Sequence, residues 1–439
     1  MRMAGPGTPA NVTQPPWIRL SMLWLLMASS SIVLWEPAPY EFLALLLIGG
    51  TVVSGVRIPA QLGPAAICLA LFILANLLSM VNIQNEEKAL MFFGTTFYLI
   101  LTFFLFAVIV HEDPEHALAT IWHGYIVGAV IAVTLGLMGY FAFNAFSELF
   151  TSAGRARAAF KDPNVYGPYL VPVILYVLAG MKGLKAGLSL PRVSLLLFLS
   201  IGILIGFSRG AWANLIAAAI AFVGLKLLTA RSIGEFRTML VSSAMASIAV
   251  AAVVLVLINT TQVGADFTER AQLNQYYDQG TGGRWQNMYH AILLGLSMPL
   301  GIGPGQSNYH LLQEAHNLIV QVFVEKGWLG LISFTAFLAI SFIRFFRLAM
   351  IPNPVQQTAQ ILCACLVGLI VNTVVIDPLH WRHFYLILGM GWGLVAAYPL
   401  PTFKERQHLM LVARRRAIAA GGPGDGSGQQ PGTARRHDP

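Results

Sequence analysis

Charge is scarce in this sequence. Of its 439 residues only 10% are Asp, Glu, Lys or Arg, 56% are hydrophobic, and the mean hydropathy is +0.67. Soluble domains carry about 25% charged residues, so a single water-facing globule is excluded, and apolar runs recur from Trp17 to Leu400. Cysteine is scarcer still: Cys68, Cys363 and Cys365 all fall in apolar segments. That excludes a disulfide framework and leaves three small buried hydrophobes. The ten histidines and the outer carboxylates do not cluster into a ligand set, so no metal site is expected. A nucleotide loop is also missing. Gly301-Ile302-Gly303-Pro304-Gly305 lacks the Lys-Ser/Thr that completes a P-loop, follows no strand, and reads as a turn. No cofactor is implied. The net charge of +8 does not indicate nucleic acid, because the basic residues sit mostly in short connections between apolar runs.

What is present is a series of runs near the length of a membrane helix, about 20 residues. They fall at 17–35, 40–56, 60–80, 89–110, 118–143, 165–181, 193–208, 210–227, 238–258, 328–346, 357–376 and 384–400. The expectation is an all-α integral membrane protein of about twelve transmembrane helices. The run from Trp17 to Trp35 has no clear cleavage site after it and reads as the first helix. An even count places both ends on one side. Lys404, Arg406, Arg414, Arg415 and Arg416 make that side cytoplasmic. The resulting topology divides the 27 Lys and Arg two to one in favour of the cytoplasm.

The expected organisation is a cytoplasmic tail 1–16, helices one to nine over 17–258, a periplasmic segment 259–327 with short helices, helices ten to twelve over 328–400, and a basic, disordered cytoplasmic tail 401–439. Within 259–327, an amphipathic piece is expected from Trp285 to Leu296 and a helix from Ala315 to Glu325. Chemistry is expected on this outer face.

Several residues there carry a chemical and a plain reading together. Arg209, in Ser208-Arg209-Gly210, interrupts an apolar stretch from Val193 to Leu228. It either snorkels to anchor a turn or presents a planar fork to phosphate. Arg284 follows Gly282-Gly283 and precedes Trp285. It is an interfacial anchor or an anion ligand, and a cation at a helix start is disfavoured by the dipole, which favours the anion. His316 is a structural histidine or a proton acceptor, its ordinary pKa near 6.5 suiting the latter. Glu314 is a candidate partner that orients it, whereas Glu325 lies on the other side of the expected helix. Asp162 with Pro163 reads first as helix-entry chemistry, and Arg155, Arg157 and Lys161 beside it form a basic rim that attracts an anionic ligand.

These residues, in this order, resemble the O-antigen ligase and O-antigen polymerase superfamily, integral membrane glycosyltransferases of the bacterial envelope. The resemblance covers roughly 150–345. It rests on Arg157-Ala-Ala-Phe-Lys-Asp-Pro-Asn164, Phe207-Ser-Arg-Gly-Ala-Trp212, Arg284-Trp285, Pro299-Leu-Gly-Ile-Gly-Pro-Gly305, and His316-Asn317 leading to Glu325-Lys-Gly327. The ligase pattern of histidine, ten residues, then glycine is met by His316 and Gly327. The pattern of arginine, three residues, then leucine is not: Ala213 stands four places after Arg209 and leucine arrives at Leu215.

The resemblance implies a GT-C-like fold in the bacterial inner membrane and an active site on the periplasmic face. It implies a donor glycan linked to undecaprenyl pyrophosphate. The acceptor is lipid A–core for a ligase, a second lipid-linked glycan for a polymerase, or a protein hydroxyl. No metal or nucleotide sugar is implied. Arg209 and Arg284 take the place of the pyrophosphate-binding arginines and His316 that of the catalytic histidine, with Arg155, Arg157, Lys161, Glu314 and Asn317 as substrate contacts. The competing reading is a flippase or secondary transporter, which would place charges at mid-depth. Here they gather at the outer face.

Overall fold

The computed structural model describes residues 16–141, 147–181, 189–260, 264, 267–268 and 283–399. The expected tails therefore lie almost wholly outside the described residues, as does most of 261–282, including Arg270. What is described is mostly helical. In chain order the longer helices are α1 (Pro16–Ala28), α2 (Pro39–Val53), α3 (Gly63–Ser79), α4 (Glu86–Glu112), α5 (Pro114–Tyr140), α6 (Pro163–Ala179), α7 (Leu190–Ile205), α8 (Arg209–Leu228), α9 (Ile233–Thr260), α10 (Arg284–Ser297), α11 (Leu318–Met350), α12 (Gln356–Asn372) and α13 (Arg382–Ala397). A helix occupies each expected apolar run. Among the described residues, five helices are long and apolar enough to cross a membrane: Ala60–Asn82, Glu86–Glu112, Pro114–Tyr140, Arg209–Leu228 and Leu318–Met350.

Two helix ends fall short of the hydropathic runs, each beside hydroxyl side chains that bond back to the helix. The first run was expected to reach Trp35, but α1 stops at Ala28. There the Ser29 and Ser30 hydroxyls donate back to the carbonyls of Leu26 and Met27, at 3.1 and 2.6 Å, offering the backbone an alternative to the helix. Likewise α12 stops at Asn372, where the Thr373 hydroxyl donates to the Ile370 carbonyl at 2.6 Å.

Helices approach closely where the sequence supplies glycine. Side chains at Gly389 and Gly393 of α13 would meet the carbonyls of Phe103 and Ala107 on α4, each at 2.7 Å. Between helices in lipid, small residues give the close packing that the hydrophobic effect does not drive. Cys68, Cys363 and Cys365 are free and buried, as small hydrophobes would be.

Contacts sort the polar residues into two sets. One joins Arg19 to Glu112, Arg192 to Gly180, Lys226 to Gln357 and Arg344 to Gln61. The other joins Lys161 to Glu36, Arg382 to Glu41, Asn82 to Gly301 and Arg155 to Gly206. Every member of the first set lies in the connections expected on one side or within three residues of them, and every member of the second likewise on the other.

The expected helix over Ala315–Glu325 and the expected span 328–346 are the two halves of α11. The helix starts later than expected, at Leu318, and its path breaks at Gly327, where φ is 62° and ψ −162°. A side chain at Gly327 would stand 2.1 Å from the Pro299 carbonyl oxygen. The break strands carbonyls at the end of the first half. Backbone N–H groups of Ile302 and Gly303 donate to those of Val324 and Glu325, at 2.9 and 3.0 Å. The Gly301–Gly305 segment is indeed a turn, and it caps a broken helix. Gly327→Ala should therefore destabilise the chain by about 1–3 kcal/mol from backbone strain alone, read as a lower Tm in detergent. Gly224→Ala, on α8 with nothing within 4 Å of the added carbon, should leave Tm unchanged or slightly raised.

Candidate active site

The segment before α6 folds back on itself. Thr151–Ser152 and Arg155–Ala156 pair as a two-stranded hairpin, and the N–H groups of Arg157 and Ala158 both donate to the Phe150 carbonyl. Asp162 then caps α6, its carboxylate accepting from the Asn164 N–H at 2.7 Å, with Pro163 in the first turn. This is the helix-entry chemistry expected of Asp162-Pro163.

Asn164 ties this segment to the Arg209 turn. Its side-chain oxygen accepts from Arg155 Nη2 and from the Ser208 hydroxyl, both at 2.8 Å, and Arg155 Nε donates to the Gly206 carbonyl at 3.1 Å. Arg155 thus buttresses the turn that presents Arg209. Arg157 is directed elsewhere, its Nε donating to the Leu149 carbonyl at 3.3 Å. Lys161 pairs with Glu36 at 2.6 Å, both side chains more than half exposed, a contact worth little to stability.

Arg209 and Arg284 occupy equivalent places. Each is the first residue of its helix, behind the N-caps Ser208 and Gly283. Each is half-buried. His316 precedes Asn317, the N-cap of α11, whose side-chain oxygen accepts from the Val320 N–H at 3.0 Å. The other end of the Asn317 amide donates to the Val374 carbonyl at 3.1 Å. Both ends of this expected substrate contact are therefore engaged by the chain itself.

Four non-glycine residues among those described have positive φ: Ala153 (48°), Ala158 (52°), Phe207 (44°) and His316 (49°). All lie in these segments. Phe207 and His316 hold the same position, immediately before an N-cap. Strained backbone of this kind persists only where surrounding structure imposes it, and it concentrates at functional sites.

His316 is half-buried. Burial lowers its pKa below the usual histidine value, the positive charge of Arg284 lowers it further, and the carboxylate of Asp162 raises it. The imidazole is therefore neutral near pH 7 and free to accept a proton. The charges acting on it come from Arg284 and Asp162. Glu314, the partner expected from sequence, sits in a different field. Burial raises its pKa, Glu325 raises it too, and Lys88 and Lys326 lower it.

A further connection at this end of the bundle, not singled out for chemistry by its sequence, packs against the site. The Leu318 N–H donates to the Thr373 carbonyl at 3.0 Å, bringing the connection between α12 and α13 against the start of α11. In that connection burial pushes the Asp377 carboxyl up to about 7, against the Leu379 N–H, which donates to it at 2.8 Å. Burial likewise pushes His380 down to about 4; its Nε2 is hydrogen-bonded to the Thr96 hydroxyl at 2.9 Å. The only signal for either was the polar Asp377 and His380 in a short connection expected on the outer side. Among the described residues, no group of three or more His, Cys, Asp and Glu is arranged to hold a metal ion.

Two guanidinium groups at helix starts can hold an anion, since the first-turn N–H groups and the dipole act in the same sense. A neutral imidazole beside one of them can take a proton. The opposed charges on His316 make a direct test. Asp162→Asn retains an oxygen for the cap but loses the charge that raises the imidazole pKa, so that pKa falls further. Arg284→Gln removes the charge that lowers it, so the pKa rises. Site-resolved modification by diethyl pyrocarbonate against pH should show the midpoint at His316 moving in opposite directions. Shifts in the same direction would show that these charges do not control it.

No curated protein matches the chain. Residues 194–335 match the family model described as O-antigen ligase, a segment that contains Arg209, Arg284, His316 and Gly327. This match supports assignment of the chain to the O-antigen ligase superfamily.

Proposed function

We propose that this membrane protein is a glycan transferase that moves a glycan from undecaprenyl pyrophosphate to an acceptor hydroxyl on the periplasmic face of the bacterial inner membrane. The observation that carries the reading is that, inside the family-matched segment, Arg209 and Arg284 each begin a helix and the charge of Arg284 acts on a His316 whose pKa burial lowers. In the reaction the acceptor oxygen attacks the anomeric carbon and its proton passes to His316. The bond from that carbon to the pyrophosphate oxygen breaks, and its electron pair leaves with the lipid pyrophosphate. Negative charge grows on the leaving group, where fixed guanidinium groups and helix N-termini stabilise it. Asp162 opposes Arg284 at the imidazole and steadies its positive charge once protonated. The reaction needs no metal ion. The acceptor is lipid A–core in a ligase, the reading adopted here, or a second lipid-linked glycan in a polymerase.

Purified protein with a defined undecaprenyl-pyrophosphate-linked donor tests the assignment. Arg209→Lys and Arg284→Lys keep charge but lose the bidentate fork, and each should be clearly defective while still inserting in the membrane. His316→Ala should lose about 10²–10⁴-fold in turnover and still bind donor. Full activity in both lysine variants would rule out a guanidinium clamp. Orientation has its own test: on intact spheroplasts an impermeant thiol reagent should label Gln279→Cys and spare a cysteine placed in the 401–439 tail. Labelling of the tail would reverse the topology and remove the site from the periplasm.

A further inference from the structure

The first turns of α11 hold a buried polar network that the proposed chemistry does not use. Glu325 and Lys326 are each 2% exposed and form an ion pair at 2.5 Å. The other oxygen of Glu325 accepts from the Ser307 hydroxyl at 3.0 Å and from Gln321 Nε2 at 2.7 Å. Gln321 Nε2 also reaches the Ser307 hydroxyl, at 2.7 Å. The opposite end of the same amide, Oε1, accepts from the Ala315 N–H at 3.2 Å. Gln321 is itself buried, 4% exposed.

The chemistry of the partners dictates which way this amide faces. An ionised carboxylate only accepts, so it takes the NH₂ end; a backbone N–H only donates, so it takes the oxygen. Lys326 keeps Glu325 in the accepting form. Ala315 is the residue before His316, whose backbone stands at φ 49°. On the other side Asn317 is held by its cap bond and its bond to Val374. His316 is thus fastened from both flanks in a conformation that a free chain rarely adopts.

The geometry points to Gln321 as a positioning residue for His316, oriented by the Glu325–Lys326 pair and acting through the Ala315 N–H. Gln321 touches neither donor nor acceptor; it sets where the imidazole stands. The inference rests on the assignment of His316 as proton acceptor. It also gives Glu325 a role on the side of the helix away from His316, where direct contact was excluded.

The test uses the full-length protein in nanodiscs, with undecaprenyl-pyrophosphate-linked oligosaccharide as donor and lipid A–core as acceptor. Gln321→Met keeps the shape of the side chain and removes both polar ends. Rates are taken per folded protein, and undecaprenyl pyrophosphate serves as the binding probe. The expected result is a fall in kcat of about 10- to 100-fold, the order that a misplaced catalytic group costs, with donor KM and probe affinity unchanged. Gln321→Glu alone sets two carboxylates together and should also be impaired. Adding Glu325→Gln to it restores an amide–carboxylate pair and an acceptor for the Ala315 N–H, so the double variant should recover turnover. Wild-type kcat in Gln321→Met would overturn the inference. So would a loss confined to donor KM, or a folded double variant that recovers nothing. His316→Ala is measured alongside. If it turns over normally, the reading of function fails; if it is inactive while Gln321→Met is not, only the positioning role fails.

Discussion

Inside a bilayer every backbone polar group must be satisfied within the chain, and helices do this everywhere except at their ends. A membrane helix therefore offers free N–H donors only in its first turn. This protein gathers such ends. The start of α6 is tied to that of α8 through Asn164 and Ser208, and the charges of Asp162 and Arg284, at the starts of α6 and α10, act on His316 just before α11. Arg209 and Arg284 add cations where the dipole is already positive. A cation in that position is disfavoured by the dipole, whereas the same N-terminal N–H groups favour an anion.

The same constraint explains the spacing of histidine and glycine. The first half of α11 is bounded by a side-chain cap at Asn317 and a break at Gly327. His316 lies just outside one end, and the other end is closed by the Pro299–Gly303 backbone, which fits only a residue without a side chain. Adding or removing a residue between Asn317 and Gln321 would rotate Gln321 and Glu325 about 100° round the helix axis relative to Ala315. The interval between His316 and Gly327 is in this sense a length of helix.

Strain and polarity coincide at this end. The positive-φ residues Ala158, Phe207 and His316 border hydrogen bonds that leave the backbone little freedom. Elsewhere the helices pack through glycines and buried aliphatic side chains. A bundle packed in that way is a rigid frame on which a few polar connections can be held under strain.

Much of this was legible from residues alone. Hydropathy located the runs that became helices, because lipid exposure requires long apolar stretches. Asp162-Pro163 announced a helix start, because capping needs particular side chains at particular offsets. Arg209 and Arg284 stood out because charge in an apolar context is costly. Other features came only with the tertiary structure. Helix ends fell at Ala28 and Asn372, where the Ser29, Ser30 and Thr373 hydroxyls bond back to carbonyls of the preceding turn. Arg155 rather than Arg157 met the Arg209 turn. Asp162, far away in the chain, took the electrostatic place expected of Glu314, two residues from His316. The connection carrying Asp377 and His380 came against the start of α11, which no spacing in the chain foretold. The sequence by itself determined which residues are helical and which are chemically capable, since both are local properties. Which of them act on one another was decided by folding, because charge and hydrogen bonding operate across space between segments that the order of the chain leaves unrelated.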